Sequence, residues 1–319
     1  MRFLQIIFLL LLLPKLACAQ VALASGSKGS MPLNFIAVAY NGTNAACSAD
    51  GVHWNLSAIP KAGWSASAQG NGIIIVVAYN SASVISSCDK GNHWTLSTMP
   101  VSAKWDAVAY WNGYFVAIAS QSTNAAYSND GVNWTLSTLP VVDNWIGIAG
   151  GSGYGKSGVF NAVAYVSGNS AYSTNNGATW ILTALPENSN WYANHYGRDQ
   201  KKFVAVTYSG DSIMANSTYG TNWVAQVNSS EDNWSCLAEG NGNFLTVAFG
   251  DTYAMYSPDT TNWTTVTIPS AYNWSANSFK DGKFLIIASG SSNALLTTDC
   301  ITYTPTALPY DDNWDGLSP

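Results

Sequence analysis

Residues 105–140 read WDAVAY, WNG, YFVAIAS, QST, NAAYS, NDGVN and WTLSTLP in succession, and this stretch decides the fold. Short runs of apolar and β-branched residues alternate with Gly, Asn, Asp and Ser. This is the pattern of four antiparallel strands joined by tight turns. We call these strands A, B, C and D in chain order. No part of the stretch has the periodicity of a helix.

The same unit recurs along the chain. One tryptophan series begins strand A and another begins strand D, and both recur every 40 to 46 residues. The first series is Trp64, Trp105, Trp145, Trp191, Trp234, Trp274 and Trp314. The second series is Trp54, Trp94, Trp134, Trp180, Trp223, Trp263 and, in last place, Tyr303. This period predicts an all-β, seven-bladed β-propeller of four-stranded antiparallel blades.

The two chain ends predict how the ring closes. The first repeat begins at Phe35 with strand B and lacks strand A, whereas the chain ends just after a strand A around Trp314. We therefore expect the C-terminal strand to pair with the N-terminal blade. The propeller then spans residues 35–319, and residues 20–34 form a lead-in.

The N-terminus predicts export. Arg2 precedes an apolar run from Phe3 to Leu13, and residues 17–19 read Ala-Cys-Ala, so residues 1–19 have the order of a signal peptide cleaved after Ala19. A lipoprotein acylated at Cys18 is the alternative. The apolar run is shorter than the roughly 20 residues that a membrane span needs. We expect a secreted or periplasmic monomer.

The charge of the chain excludes some partners. Only 9% of residues are charged, and loss of Arg2 and Lys15 with the leader moves the formal net charge from −6 to −8. Nucleic acid and anionic membranes are poor partners, because binding phosphate needs a basic face.

The turns between strands C and D carry a motif of their own. Residues 87–94 and 173–180 have the pattern S-x-D-x-G-x-x-W, with Asn175 for Asp in the second, and the other repeats carry shorter or degenerate copies. These turns resemble the Asp-box (BNR) hairpins of sialidases, the sortilin ectodomain and photosystem assembly propellers. The resemblance implies a structural role, because a short Asp or Asn side chain can accept N–H groups of its own turn. The residues concerned are Asp50, Asp89, Asp130, Asn175, Asp259 and Asp299.

Sialidase chemistry is excluded within that resemblance. It needs three arginines around a carboxylate, and beyond the leader the sequence contains one arginine, Arg198. Lysine cannot reproduce the bidentate fork. Other glycosidases need two facing carboxylates, and the aspartates keep that option open. We predict that the protein is not an enzyme, with a divergent glycoside hydrolase as the weaker alternative.

Three further motifs predict no catalysis and no cofactor. Residues 150–157 match a phosphate-binding P-loop, but a strand follows where a helix is needed, so we expect an extended A–B hairpin. His53 and His93 each precede a turn tryptophan, so we expect them to face solvent. No Ser or Cys nucleophile signature accompanies them. Four cysteines beyond the leader lack C-x-x-C spacing, which predicts mostly free or buried thiols and no metal site. They are Cys47, Cys88, Cys236 and Cys300.

Ligand binding is predicted at the face built by the D–A and B–C loops. The recurring Pro-x-x-x-Asn-Trp motif, as at residues 140–145, sets aromatic residues beside small polar loops. Sugars stack on aromatic faces while their hydroxyls find polar partners. The candidate ligand-binding residues are Trp64, Trp105, Trp145, Trp191, Trp234, Trp274 and Trp314. The alternative is that each tryptophan is a wedge between blades.

A basic patch is predicted on the opposite face, from the long A–B loops of two neighbouring blades. Its residues are Tyr154, Lys156, His195, Tyr196, Arg198, Lys201 and Lys202. Clustered bases in an acidic, charge-poor chain indicate an acidic partner, the alternative being a solvated loop.

Three functions follow from these observations. We favour a secreted binding propeller that recognises glycans or an extracellular protein. A protein-interaction scaffold or assembly factor is the alternative, and a divergent hydrolase is the third. A carboxylate pair in the central channel would favour the hydrolase.

Overall fold

The structure is a computed structural model, described here for residues 34–152, 158–208, 213–227 and 232–318. All regular secondary structure in this part is β-strand, so it contains no helix that could cross a bilayer. The predicted signal peptide at residues 1–19 and the lead-in as far as residue 33 lie outside the described residues.

In chain order the strands have the following bounds. They are β1 (Phe35–Ala39), β2 (Asn44–Ser48), β3 (Asn55–Ala58), β4 (Trp64–Gly70), β5 (Ile73–Ala78), β6 (Ser81–Ser87), β7 (Thr95–Trp111), β8 (Tyr114–Ser120), β9 (Ser122–Ser128), β10 (Thr135–Asp143), β11 (Trp145–Gly151), β12 (Val159–Ser173) and β13 (Ile181–Gly197). The remainder are β14 (Lys202–Thr207), β15 (Ile213–Ser217), β16 (Val224–Val227), β17 (Trp234–Gly240), β18 (Asn243–Ala248), β19 (Tyr253–Ser257), β20 (Thr264–Thr267), β21 (Trp274–Lys280), β22 (Lys283–Ala288), β23 (Asn293–Thr297), β24 (Thr304–Ala307) and β25 (Trp314–Ser318).

The strands form five antiparallel sheets. Three are four-stranded, in the orders β25-β1-β2-β3, β17-β18-β19-β20 and β21-β22-β23-β24. A seven-stranded sheet runs from β4 to β10 and a six-stranded sheet from β11 to β16. In each larger sheet one long strand, β7 or β13, is both the strand D of one repeat and the strand A of the next.

The C-terminal strand completes the sheet that the N-terminal strand begins. β25 pairs antiparallel with β1, with Leu317 opposite Ala37, and the backbone N–H of Tyr40 donates to the carbonyl of Asn313 at 2.8 Å. β25 also contacts β4 on one side and β21 on the other. Contacts between strands A then run in series through β4, β7, β11, β13, β17 and β21, back to β25.

The hydrophobic core lies between neighbouring sheets. Side chains of a strand B alternate between its two faces, so β1 packs in two directions. Ile36 and Val38 pack against the buried strand β5, whereas Phe35 and Ala37 pack against the buried strand β22. Each sheet is therefore held by apolar contacts on both faces, which the all-buried pattern of the B strands requires.

The two ends of the strands carry different turns. Strands A and B meet in two-residue turns such as Asn71-Gly72, Asn112-Gly113 and Asn241-Gly242, in which both residues have positive φ. This is the turn that matches the twist of a hairpin. We call this end, which also carries the C–D turns, the hairpin end. The opposite end, where D–A and B–C loops lie and each strand A begins at its tryptophan, is the tryptophan end.

The C–D turns are held by their own acidic side chains. Asp130 Oδ1 accepts the N–H groups of Val132 and Asn133 at 2.9 and 2.8 Å, and Ser128 Oγ donates to the same oxygen. Equivalent bonds occur at Asp50, Asp89, Asn175, Asp259 and Asp299. Hydrogen bonds to the charged form lower the pKa of Asp50 and of Asp259, and bring that of Asp299 to about 2.

The histidines and cysteines of these repeats have structural surroundings. His53 and His93 lie on the surface, and each Nδ1 lies within 2.7 Å of its turn aspartate. Cys47, Cys236 and Cys300 are free and buried, and burial raises their thiol pKa values to between about 11 and 12. No thiol among the three free ones is poised as a nucleophile.

We predict that β25 is required for folding. Deleting residues 314–319 removes the strand that pairs with β1 and the buried Trp314, and leaves the β1 edge and its apolar face uncovered. The truncated protein should lose its near-UV circular dichroism signal and aggregate. Deleting Pro319 alone is the control and should change nothing. Cooperative unfolding of the longer truncation at the wild-type temperature would contradict the prediction.

Candidate functional site

The seven strand-A tryptophans are structural anchors at the tryptophan end. All seven are buried, each with 0% of its surface exposed. In six of them the indole N–H donates to the carbonyl four residues earlier, as from Trp64 to Pro60 at 2.9 Å and from Trp191 to Glu187 at 3.0 Å. Their burial favours the wedge interpretation over sugar stacking, because no ring face is open to a ligand.

A β-bulge follows every one of these tryptophans. In β4, Trp64 pairs with Ala78 and Ala66 with Val77, which leaves Ser65 as an extra residue. The same register shift occurs in the other six strands A. A bulge re-aims the side chain of its extra residue. The bulge residues are Ser65, Asp106, Ile146, Tyr192, Ser235, Ser275 and Asp315, and all seven line one central cavity.

Three of the bulge serines tie neighbouring strands together. Ser65 Oγ donates to the carbonyl of Trp105 at 2.6 Å, Ser235 Oγ to that of Trp274 at 2.5 Å, and Ser275 Oγ to that of Trp314 at 2.7 Å. Two of these carbonyls directly precede Asp106 and Asp315. The serines therefore fix the backbone that presents both carboxyl groups to the cavity.

The central cavity has a volume of about 580 Å³. All seven strands A contribute to its wall, together with Tyr40 and Tyr79 from B–C loops. The residue after each bulge is small, either Ala, Gly or Cys, which leaves room at the centre. None of the lining residues is Lys, Arg or His. The polar lining consists of Ser65, Ser67, Ser235, Ser275, Asn194, Asn277, Asp106, Asp315, Tyr40, Tyr79 and Tyr192.

Both carboxyl groups of the cavity have raised pKa values. Burial raises the pKa of Asp106 to about 6, against lowering contributions from a Ser120 hydrogen bond and from Lys104. Burial also raises the pKa of Asp315, opposed by a hydrogen bond from Ser289. Strand β4, with Ser65 at its bulge, lies between the strands that carry them. The charges that act on each carboxyl belong to other groups, Lys104 and Asp312, and not to its counterpart.

Aromatic side chains border one side of the cavity. The Tyr192 ring is 5.1 Å from that of Tyr208 and 6.1 Å from that of Tyr165, and Tyr208 is 6.0 Å from Phe249. We call these four residues the aromatic arc. Tyr208 and Phe249 directly follow the strands B β14 and β18, and Tyr165 lies where β12 passes from its strand B part to its strand C part, so the arc belongs to the tryptophan end. Tyr192 remains 39% exposed, which leaves ring surface open to a ligand.

Comparison with solved structures identifies the fold. A streptogramin B lyase matches with a TM-score of 0.72 at 14% identity, over 89% of this chain and 91% of the lyase. A protein of unknown function from Desulfotomaculum acetoxidans matches with a TM-score of 0.70 at 10% identity, over 89% and 98% of the two chains. YCF48 bound to a D1 peptide matches with a TM-score of 0.61 at 13% identity, over 81% and 86%.

The chain has a β-propeller fold. At these identities the likeness is one of fold alone. No family profile matches the sequence, and no curated protein is similar to it.

The basic patch at the hairpin end of the propeller is smaller than the sequence predicts. Burial and the neighbouring Arg198 lower the pKa of His195 to about 4, so this ring, which packs edge-on to Phe244, is neutral at pH 7. Lys202 Nζ donates to Thr260 Oγ1 at 3.2 Å. Arg198 and Lys201 remain as exposed cations beside the buried Tyr196. Tyr154 and Lys156 lie outside the described residues.

The expectation for residues 150–157 is met where the structure describes them. Gly150 and Gly151 end the strand A β11, and Val159 begins the following strand, so an A–B connection stands where a P-loop would need a helix. Residues 153–157 lie outside the described part. Within the described residues, no group of three or more His, Cys, Asp or Glu side chains could hold a metal ion.

Sequence reasoning missed the bulge residues and the aromatic arc. A signal was present, since Tyr or Phe follows strand B in five repeats and the residue after each tryptophan is variable. However, in a regular strand the side chains alternate strictly between the two faces, and the residue after Trp would then be an ordinary position of the strand. The bulge that does so is a feature of the pairing register and is not visible in composition.

We predict that Asp106→Asn stabilises the propeller at neutral pH. The folded state holds the Asp106 proton more tightly than the unfolded chain, because its pKa is about 6 and the ordinary value is 3.8. Stability from this group therefore falls as pH rises from about 4 to about 6, and the loss is complete above that range. The variant should melt at a higher temperature than wild type at about pH 7.5, and the gap should close near pH 4.

Asp311→Asn is the matched control for this measurement. Asp311 accepts the N–H of Ser292 at 2.7 Å, and this hydrogen bond lowers its pKa. The ionised Asp311 carboxylate stabilises the folded state at neutral pH, and this stabilisation is lost on acidification. The pH dependence therefore has the opposite sign to that of Asp106. The control should show no gain in melting temperature at about pH 7.5. An Asp106→Asn variant that melts like wild type at both pH values would contradict the prediction.

Proposed function

We propose that this protein is an exported, non-enzymatic propeller of seven blades, closed by β25, that binds a neutral polyhydroxylated ligand such as a glycan. The binding site is the cavity mouth at the tryptophan end. Support for the blade count and closure comes from the seven repeats, the β25–β1 pairing and the serial contacts of the strands A. The observation that carries the ligand class is the composition of the cavity wall.

The cavity wall offers the groups that bind sugars. Its Asp, Asn, Ser and Tyr side chains supply acceptors and donors on six of the seven strands A, and its lining residues include no cation. A carboxylate can accept two neighbouring hydroxyl groups at once, and charged acceptors form the stronger hydrogen bonds. An anionic ligand would be repelled by Asp106 and Asp315, which outnumber the one cation that acts on them, Lys104. A neutral polyol therefore fits this wall better than an acid.

The aromatic arc supplies the second half of the recognition. Sugar rings present C–H faces that stack on aromatic rings. Tyr192 is the exposed member of the arc and also lines the cavity, so one side chain joins the stacking surface to the polar wall. This role replaces the one that the sequence suggests for the buried tryptophans.

The two acids support binding better than catalysis. A glycosidase needs two carboxyl groups that face each other across one glycosidic bond, one of them protonated. Asp106 and Asp315 lie on strands separated by β4, and neither carboxyl contributes to the pKa of the other. Strand β4 thus separates the two carboxyl groups, which favours separate hydrogen bonds to a ligand over joint action on one glycosidic bond. We infer that the site binds without turnover.

Glycan binding is tested with the purified mature chain on a glycan array, followed by calorimetry with the best ligand. Asp315→Asn and Tyr192→Ala should each weaken binding by about tenfold or more, since a charge-assisted hydrogen bond or a stacked ring is worth about 1.5 kcal/mol. Tyr253→Ala is the matched control. Tyr253 is 40% exposed, close to the 39% of Tyr192, but does not line the cavity, and its variant should bind within about twofold of wild type.

Two results would overturn the glycan proposal. One is silence of the folded protein across the array at high density. The other is unchanged affinity in both the Asp315 and the Tyr192 variants, which would place the ligand elsewhere. Release of reducing sugar during the titration, abolished by Asp106→Asn, would instead establish the hydrolase.

A protein-interaction scaffold is the second candidate, and the outer strands favour it. Leu56, Leu96, Leu136 and Leu182 occupy the same position in four successive strands D, and each is 42 to 51% exposed. This places apolar side chains at regular intervals along the outer rim. Among the solved neighbours, YCF48 is described bound to a D1 peptide. Replacing the four leucines with Ser should abolish capture of a protein partner while glycan binding persists.

A further inference from the structure

A second cavity lies at the hairpin end, away from the glycan site. Its volume is about 510 Å³, within the range of small-molecule pockets. It lies where three successive strands A end: residues 110–112 at the end of β7, Ser152 after β11 with Gly158 before β12, and Tyr196, Arg198 and Lys201 at and after the end of β13. The lining residues are Tyr110, Trp111, Asn112, Ser152, Gly158, Tyr196, Arg198 and Lys201.

Aromatic rings and a guanidinium form the floor of this cavity. Trp111 and Tyr196 meet edge to face with ring centroids 5.5 Å apart. The Arg198 guanidinium carbon lies 5.5 Å from the centre of the Trp111 ring, within cation–π range. Tyr196 OH also contacts Ser152 Oγ. These contacts hold the rings and the cation in one arrangement before any ligand arrives.

Glycines make that arrangement possible. A Cβ on Gly158 would fall 2.3 Å from Trp111 Nε1, and one on Gly150 would fall 2.4 Å from Trp111 Cβ. A Cβ on Gly151 would fall 2.3 Å from the Tyr196 ring. Because Gly150, Gly151 and Gly158 have no Cβ, the rings of Trp111 and Tyr196 can pack directly against their backbone.

The charges of the cavity select the class of ligand. Arg198 and Lys201 are exposed cations, and neither forms an ion pair within the described residues. The carboxylate of Glu239 lies 3.4 Å from the backbone nitrogen of Arg198, and Asp199 follows Arg198 in the chain. Because these two acids partly offset the two cations, the site favours a ligand with one negative charge over a ligand with two.

We propose that this cavity binds a small organic monoanion with a flat apolar body, such as an aromatic carboxylate. The carboxylate pairs with Arg198 and Lys201, and the ring of the ligand contacts the half-buried Trp111, which the buried Tyr196 supports. A guanidinium offers two parallel N–H groups to a planar carboxylate, which a lone ammonium cannot do. The sequence-predicted acidic partner thus becomes a small acid that enters a preformed pocket.

The test is calorimetry of the full mature chain with phenylacetate as the probe. Phenylacetamide has nearly the same shape without the charge, acetate has the charge without the ring, and inorganic phosphate is the alternative anion. Phenylacetate should bind at least about tenfold more tightly than each of the other three. Arg198→Gln and Lys201→Gln should each weaken the binding of phenylacetate by about tenfold. Both side chains are exposed, so these variants should fold.

Lys61→Gln is the matched control, because Lys61 is an exposed lysine of a D–A loop at the tryptophan end. It should bind phenylacetate as wild type does. The proposal is overturned if phenylacetamide binds as tightly as phenylacetate, if phosphate binds more tightly, if Arg198→Gln has no effect, or if no probe binds.

Discussion

The rest of this structure depends on the buried indole that begins each strand A. The ring fills the space between neighbouring sheets, and in six repeats its N–H satisfies the carbonyl four residues earlier. This fixes the D–A loop and the start of the strand together. The bulge directly after the tryptophan then turns one residue out of the alternation and into the centre. Packing and site formation are thus two results of one local geometry.

The two ends of the strands are built differently, which explains why the two proposed binding sites lie at different ends. At the tryptophan end, the bulge residue differs between repeats, whereas the residue before it is always Trp and the residue after it is always small, so the chemistry of the site varies on a similar backbone. Asp106, Tyr192 and Asp315 are three of these variable bulge residues. At the hairpin end most A–B turns are as short as two residues, with Asn-Gly at positive φ. Where β11 and β13 end, a pocket forms between Ser152, Trp111 and Arg198.

Much of the architecture could be predicted from the sequence. The paired tryptophan periods indicate the repeat, alternation and Asn-Gly turns indicate four strands per repeat, and the missing strand A before Phe35 indicates a partner for the strand at Trp314. The binding sites were harder to predict from the sequence. His195 looks cationic in the sequence but is neutral, because burial and Arg198 disfavour its charge. Glycines 150 and 151 look like a phosphate loop, but they seat the rings of Trp111 and Tyr196.

The sequence by itself determined the strand content, the repeat length and the positions of the recurring tryptophans, because these depend on local periodicity. Only the tertiary structure decided which side chains meet. Register shifts turn Asp106, Tyr192 and Asp315 into one cavity, although they come from separate repeats. Side-chain proximity across repeats depends on bulges and on sheet packing, and neither leaves a periodic trace in a single chain.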